Sequence, residues 1–96
     1  DLGKVAIGYW LAERWQGHGI ITRACQALIH HAFEEMGMEK VEISAALENE
    51  ASRAVCERLG MTQEGMTRRA ERLADRVVDH VHYGLLRDEW LRLRDL

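Results

Sequence analysis

Ninety-six residues, 47% of them hydrophobic and with a formal charge of −3, fit one small domain that buries about 60% of its unfolded surface. The acidic balance excludes a protein that holds nucleic acid by bulk attraction to phosphate, so any anion site must be local. Two cysteines without a CxxC pair exclude a zinc ribbon and a disulfide framework, and no run approaches the roughly 18 to 20 apolar residues of a membrane span.

No signal peptide opens the chain, and cytoplasmic residence is the expectation. Eight glycines and no proline indicate helices and strands joined by glycine turns. There is no internal repeat, low-complexity tract or domain boundary.

In chain order, Val5, Ile7, Tyr9 and Leu11 alternate with Ala6, Gly8 and Trp10. Both sets are largely apolar, which describes a strand covered on both faces. Ala12 to Gly19 reads as a turn. Ile21, Cys25, Leu28, Ile29, Ala32, Phe33 and Met36 then recur at helical spacing, with Arg23, Gln26, His30 and Glu34 opposite. The pattern predicts a helix from Ile20 to Met36, ended by Gly37. A second strand is expected from Lys40 to Leu47, with Val41, Ile43, Ala45 and Leu47 on one face. Strand, helix and strand with such short joints predict a right-handed crossover and two parallel neighbours.

Asn49 is a good N-cap for a short helix from Glu50 to Leu59, with Ala51, Ala54, Val55 and Leu59 inward and Gly60 as its stop. Met61 to Leu73 and Val77 to Leu86, joined by Ala74-Asp75-Arg76, predict an antiparallel hairpin. Its first arm is arginine-rich and weakly patterned, hence partly irregular. In its second, Val77, Val81 and Leu85 share a face with Asp79 and Tyr83. A last helix is expected from Asp88 to Arg94, anchored by Trp90, Leu91 and Leu93.

The segment Gln16-Gly17-His18-Gly19-Ile20-Ile21-Thr22 lies between strand and helix. The first turn of such a helix presents unpaired N–H groups and a positive dipole end, and glycines let a ligand approach the main chain. A phosphate or diphosphate is the expected guest. The turn is too short for the dinucleotide fingerprint and lacks the Lys-Ser/Thr pair of a nucleoside-triphosphate loop. By itself the glycine pair is equally a tight turn.

This segment, preceded by Ile7-Gly8-Tyr9-Trp10-Leu11, resembles the diphosphate-binding segment of the GNAT superfamily of acetyl-coenzyme A-dependent acetyltransferases, in the pattern Gln/Arg-x-x-Gly-x-Gly/Ala. Gln16, Gly19 and Ile21 occupy the defined positions, with Ile21 in place of the usual small residue. Asn49-Glu50-Ala51-Ser52, followed by Glu57-Arg58-Leu59-Gly60-Met61, resembles the second signature of the ribosomal-protein N-acetyltransferase (RimJ/RimL-like) branch. Asp79-His80-Val81-His82-Tyr83-Gly84-Leu85 is similar to that branch's last long strand.

The resemblance implies an α/β fold with a GNAT-like mixed sheet. Its expected order is a parallel strand pair with a helical crossover, a short helix and an antiparallel hairpin. The chain would be a partial acetyl-coenzyme A-binding domain over 1–96, lacking the fold's N-terminal strands and exposing an apolar edge. Aggregation or self-association, including as a homo-oligomer, is then expected.

By the same resemblance, the amides of Gln16, Gly17, His18, Gly19, Ile20 and Ile21 would hold the diphosphate of acetyl-coenzyme A, the cosubstrate. Trp10 and Leu11 would pair with the pantetheine arm and Asn49 would contact it. Ser52 would give a proton to the departing thiolate. A second role stays open to Ser52, since at the third helical position it can return a hydrogen bond to the N-cap. The acceptor implied is an amine, the N-terminus of a ribosomal protein in the nearest branch, without direct contact to nucleic acid or membrane. A small-molecule acetyltransferase, a non-catalytic acyl-coenzyme A-binding or assembly module, and a nucleotide-binding βαβ unit with Glu42 or Glu48 on a ribose are the rival readings.

No general base is evident. In related ribosomal enzymes a candidate carboxylate precedes the coenzyme strand. His80 and His82 share a strand face, but spacing supplies no third ligand, so no metal is expected. Tyr83 reads as core or wall. Arg68, Arg69, Arg72 and Arg76 read as a solvated hairpin face partly paired with Glu71 and Asp75, or as a dock for an acidic protein substrate or the coenzyme's 3′-phosphate.

Overall fold

A computed structural model describes residues 4–7 and 19–95, with side chains from Thr22 onward. The order is β1 (Lys4–Ile7), α1 (Gly19–Glu34), β2 (Lys40–Ala46), α2 (Glu50–Arg58), β3 (Thr62–Arg72), β4 (Val77–Leu86) and α3 (Arg87–Arg94). The sheet runs β1-β2-β4-β3. β1 and β2 are parallel, with Val5 opposite Val41 and Ile7 opposite Ile43. β4 lies antiparallel to both β2 and β3. The mixed sheet, the helical crossover and the hairpin all follow the expectation.

Alternation sorts the strands into two faces. Val41, Ile43, Val81, Tyr83 and Leu85 are buried and meet Cys25, Ile29, Ala32 and Phe33 of α1, Val55, Cys56 and Leu59 at α2, and Trp90 of α3. All three helices therefore cover one face. Trp90 locks α3 down by stacking on Phe33, with centroids 5.1 Å apart. The intervening residues Lys40, Glu42, Ser44 and Ala46 point to the other face and are half-buried.

The chain closes its helices locally. Asn49 caps α2, its side chain accepting from the Ser52 N–H. At the far end Gly60 sits at φ +78°, Gly60 N–H donates to Glu57 O and Met61 N–H to Cys56 O. That reciprocal pair requires a left-handed residue, which glycine supplies without a Cβ penalty. The end of α1 is closed from a distance: the Arg87 guanidinium donates to Phe33 O at 2.6 Å and Met38 O at 3.1 Å.

Several expectations need correction. Leu28 and Met36 are each 48% exposed, because α1 rests on the sheet by the narrower stripe Cys25-Ile29-Ala32-Phe33. Ala51 and Ala54 are only half-buried, while Ser52 and Cys56 occupy the inward face of α2. Leu47 lies beyond β2 and is exposed. Val77 is exposed and Val78 buried: beside the stretch where β3 carries two extra residues between Thr67 and Glu71 and shifts its register on β4, β4 buries the alternate set. The irregularity expected of the arginine-rich arm is this shift, with Arg69 at φ 51°. α3 begins one residue earlier than expected, at Arg87, and Leu93 is exposed rather than a core anchor.

Candidate functional site

Three features meet at one end of the sheet. α1 is about 24 Å long and β2 about 23 Å, and they are joined through residues 35–39 at the start of β2. The N-terminus of α1 therefore stands level with the end of β2. Gly19, Ile20 and Ile21 form its first turn, with their unpaired amides at that end. Trp10, Leu11, Gln16, Gly17 and His18 lie outside the described residues. In parallel pairs such as β1–β2, the carboxyl ends of the strands are where ligands bind.

The second feature is the start of α2. β2 ends at Ala46, whose carbonyl accepts from the Asn49 N–H at 2.9 Å. Asn49 Oδ1 accepts from the Ser52 N–H at 3.1 Å. Arg53 fastens this turn: its Nε donates to the Tyr83 hydroxyl at 3.2 Å and its Nη1 to Leu47 O at 3.3 Å. Tyr83 is thus a core residue with an anchored hydroxyl.

Ser52 is 1% exposed, yet its Oγ has no hydrogen-bond partner among the described residues. The helix-start role belongs to its backbone N–H, and the hydroxyl takes no part in it. A buried hydroxyl left unpaired costs about 1–3 kcal/mol, so this oxygen is a group prepared for a partner that the described residues do not supply.

The third feature is on the opposite face of the sheet. Ser44 Oγ bonds His82 Nδ1 at 2.7 Å, and His82 Nε2 bonds Thr67 Oγ1 at 2.6 Å. Both nitrogens of His82 are therefore committed to hydroxyls. His80 Nε2 bonds Glu71 Oε1 at 3.0 Å. Glu71 can only accept, so His80 donates through Nε2, and a carboxylate holding one nitrogen orients the other. His80 pairs in register with Ala46, the residue that also accepts from Asn49. Ser52 and His80 thus flank the end of β2 from opposite faces.

Glu71 and His80 as a pair escaped the sequence reading. The only available signal was their placement on opposing hairpin arms, and the register shift that brings them together has no sequence pattern. Among the described residues no three His, Cys, Asp or Glu side chains gather as metal ligands. No described helix is long and apolar enough to cross a membrane. Of the arginine cluster, Arg76 pairs with Glu48 and Asp75, which commits Glu48. Glu71 serves His80 instead of an arginine.

Burial pushes the Cys56 thiol up to about 12, with Cys25 nearby adding to the rise. Cys25 is also raised by burial, and both cysteines are free. Neither offers a thiolate nucleophile at neutral pH.

The family model described as "Acetyltransferase (GNAT) domain" matches residues 1–62. A Bacillus subtilis protein named putative ribosomal N-acetyltransferase YdaF is 48% identical over 87 residues, covering 91% of this chain and 48% of the relative. The Escherichia coli ribosomal-protein-serine acetyltransferase is 44% identical over 75 residues, covering 77% of this chain and 42% of the relative. A solved structure of RimL, the ribosomal L7/L12 alpha-N-protein acetyltransferase, in complex with coenzyme A as a cysteine disulfide, superposes with a TM-score of 0.77. It is 34% identical, covering 91% of this chain and 49% of that one. The chain spans about half the length of the curated relatives it matches.

Proposed function

The chain belongs to the GNAT acetyltransferase domain family, and on that premise we propose that it forms the coenzyme-binding part of an acetyl-coenzyme A-dependent N-acetyltransferase. The proposed acceptor is the N-terminal amine of a ribosomal protein. The names carried by the relatives support that acceptor, and the coenzyme A bound to the RimL structure supports the cosubstrate. The single observation that carries the reading is the orphaned Ser52 hydroxyl at the end of β2.

In this reading the amides of Gln16 to Ile21 receive the diphosphate, where the dipole of α1 favours negative charge. Trp10 and Leu11 pair with the pantetheine arm and Asn49 lies beside it. The neutral amine attacks the thioester carbonyl from the His80 face, and the thiolate leaves on the Ser52 face, where the buried hydroxyl gives it a proton. His80 Nδ1, oriented by Glu71, accepts the proton released by the amine. An α-amine, with a pKa near 8, is about a tenth neutral at pH 7 and needs little help from a base.

The test has two arms. Calorimetric titration with acetyl-coenzyme A should show binding that ATP and NAD do not reproduce. In the protein that carries this chain, Ser52→Ala should lower kcat by about 10²-fold or more, with coenzyme affinity and folding stability within about 0.5 kcal/mol of the parent. Full turnover in Ser52→Ala overturns the proton-donor role. Coenzyme binding without turnover on any amine would instead identify a binding module.

A further inference from the structure

A cavity of about 410 Å³ opens on the helix-covered side of the sheet, between α1, the C-terminal end of α2 and α3. Its floor is apolar, formed by Ile29, Leu85, Trp90 and Leu93. The floor side chains Ile29, Leu85 and Trp90 are held by the core, so the cavity is preformed. The volume is of the size that small-molecule sites occupy.

The rim has a definite charge. Among the described residues no aspartate or glutamate lines the cavity, whereas Arg58 and Arg94 both do. Arg94 is committed: it pairs with Glu34 and lies over the Trp90 ring at 5.0 Å. Arg58 makes no ion pair or hydrogen bond among the described residues. An unpaired guanidinium at the mouth of an apolar cavity recognises one carboxylate by two parallel N–H···O bonds, while a cation is repelled.

The cavity is also separate from the proposed acetyl-transfer site. Arg58 lies at the far end of α2 from Ser52, about 9 Å along the axis. His30 lies about 16 Å along α1 from Gly19. We propose that this cavity binds an apolar carboxylate, an alkyl or aryl group seated on Ile29, Leu85, Trp90 and Leu93 with its carboxylate on Arg58.

The proposal does not depend on the acetyltransferase reading, and its test reads binding alone. The intact protein is titrated with octanoate and, separately, indole-3-acetate, followed by NMR at the Trp90 indole and Leu93 methyl groups. Octanol and octylamine serve as controls. At least one carboxylate should shift these signals with a Kd on the order of 0.1–1 mM, and the tighter of the two identifies the alkyl or aryl class. Arg58→Ala should weaken it by about tenfold or more, while Arg92→Ala, on the exposed side of α3, should leave it unchanged. Saturating coenzyme A should not compete.

Octanol or octylamine binding as tightly as the carboxylates overturns the proposal, because the cavity would then be merely apolar. Retained affinity in Arg58→Ala, competition by coenzyme A, or unmoved Trp90 and Leu93 signals overturns it equally.

Discussion

The two faces of β2 and β4 are made from alternate residues of the same strands, yet they are held by different forces. On one, Val41, Ile43, Val81, Tyr83 and Leu85 are packed dry beneath three helices. On the other, Ser44, His82 and Thr67 form a chain of hydrogen bonds, and Lys40 pairs with Glu64 at 2.8 Å. Gly84 serves this second face: a Cβ there would lie 2.5 Å from the Glu64 carboxylate, so glycine leaves room for that ion pair. The dry face is non-directional and tolerant in detail, whereas the polar face depends on individual partners. The proposed chemistry uses both, with the leaving group on the dry side and the amine on the polar one.

The largest blow to this contrast should come from Phe33→Ala. Phe33 is 1% exposed and stacks on Trp90, so its loss leaves a cavity and frees α3. A destabilisation of about 3–5 kcal/mol is expected in urea unfolding. A cost below about 1.5 kcal/mol would mean that the helix-covered face is not the stabilising one.

Alkaline titration sharpens the same point through Cys56. Its folded pKa is raised from 9.0 to about 12, so the fold favours the protonated thiol. The sign follows from linkage: its contribution is fully present below pH 9 and is lost as pH rises from 9 toward 12. Denaturation midpoints should fall across that window less steeply in Cys56→Ala. At pH 8 the native thiol should resist a thiol reagent that reacts promptly in denaturant. Prompt native reaction would show an open core.

The smallest effect belongs to the polar face. His82→Ala removes the shared partner of Ser44 and Thr67 from a half-buried position, at an expected cost of about 1 kcal/mol. A loss comparable to that of Phe33→Ala would erase the distinction between the faces.

Local signals were legible where the physics is local. Asn49 as a cap, Gly60 as a stop, and the alternation of β2 depend on near neighbours, and each stands as the sequence indicated, whereas α1 ends at Glu34, two residues before the expected Met36. Ser52 was legible as a residue of interest, through its spacing from Asn49, but not as an orphan. Burial of its hydroxyl depends on how α2 leans on the sheet. Leu28 fits the apolar period of α1 and is nonetheless exposed, because periodicity tells which residues can face a core but not how wide the contact is. Val77 lies by alternation on the same face as Val81 and is nonetheless exposed while Val78 is buried, because alternation assigns each residue a side but not which side is covered at the end of a strand.

The sequence by itself determined the order of elements, the Asn49 cap, the Gly60 stop and the family resemblance, all of which rest on short-range patterns. Only the tertiary structure decided that Glu71 meets His80, that Ser44 and Thr67 share His82, that Arg87 closes α1, and that Arg58 stands over an apolar floor without a partner among the described residues. Those partnerships join residues far apart in the chain, and their geometry is set by sheet register and helix docking, for which no local spacing carries information.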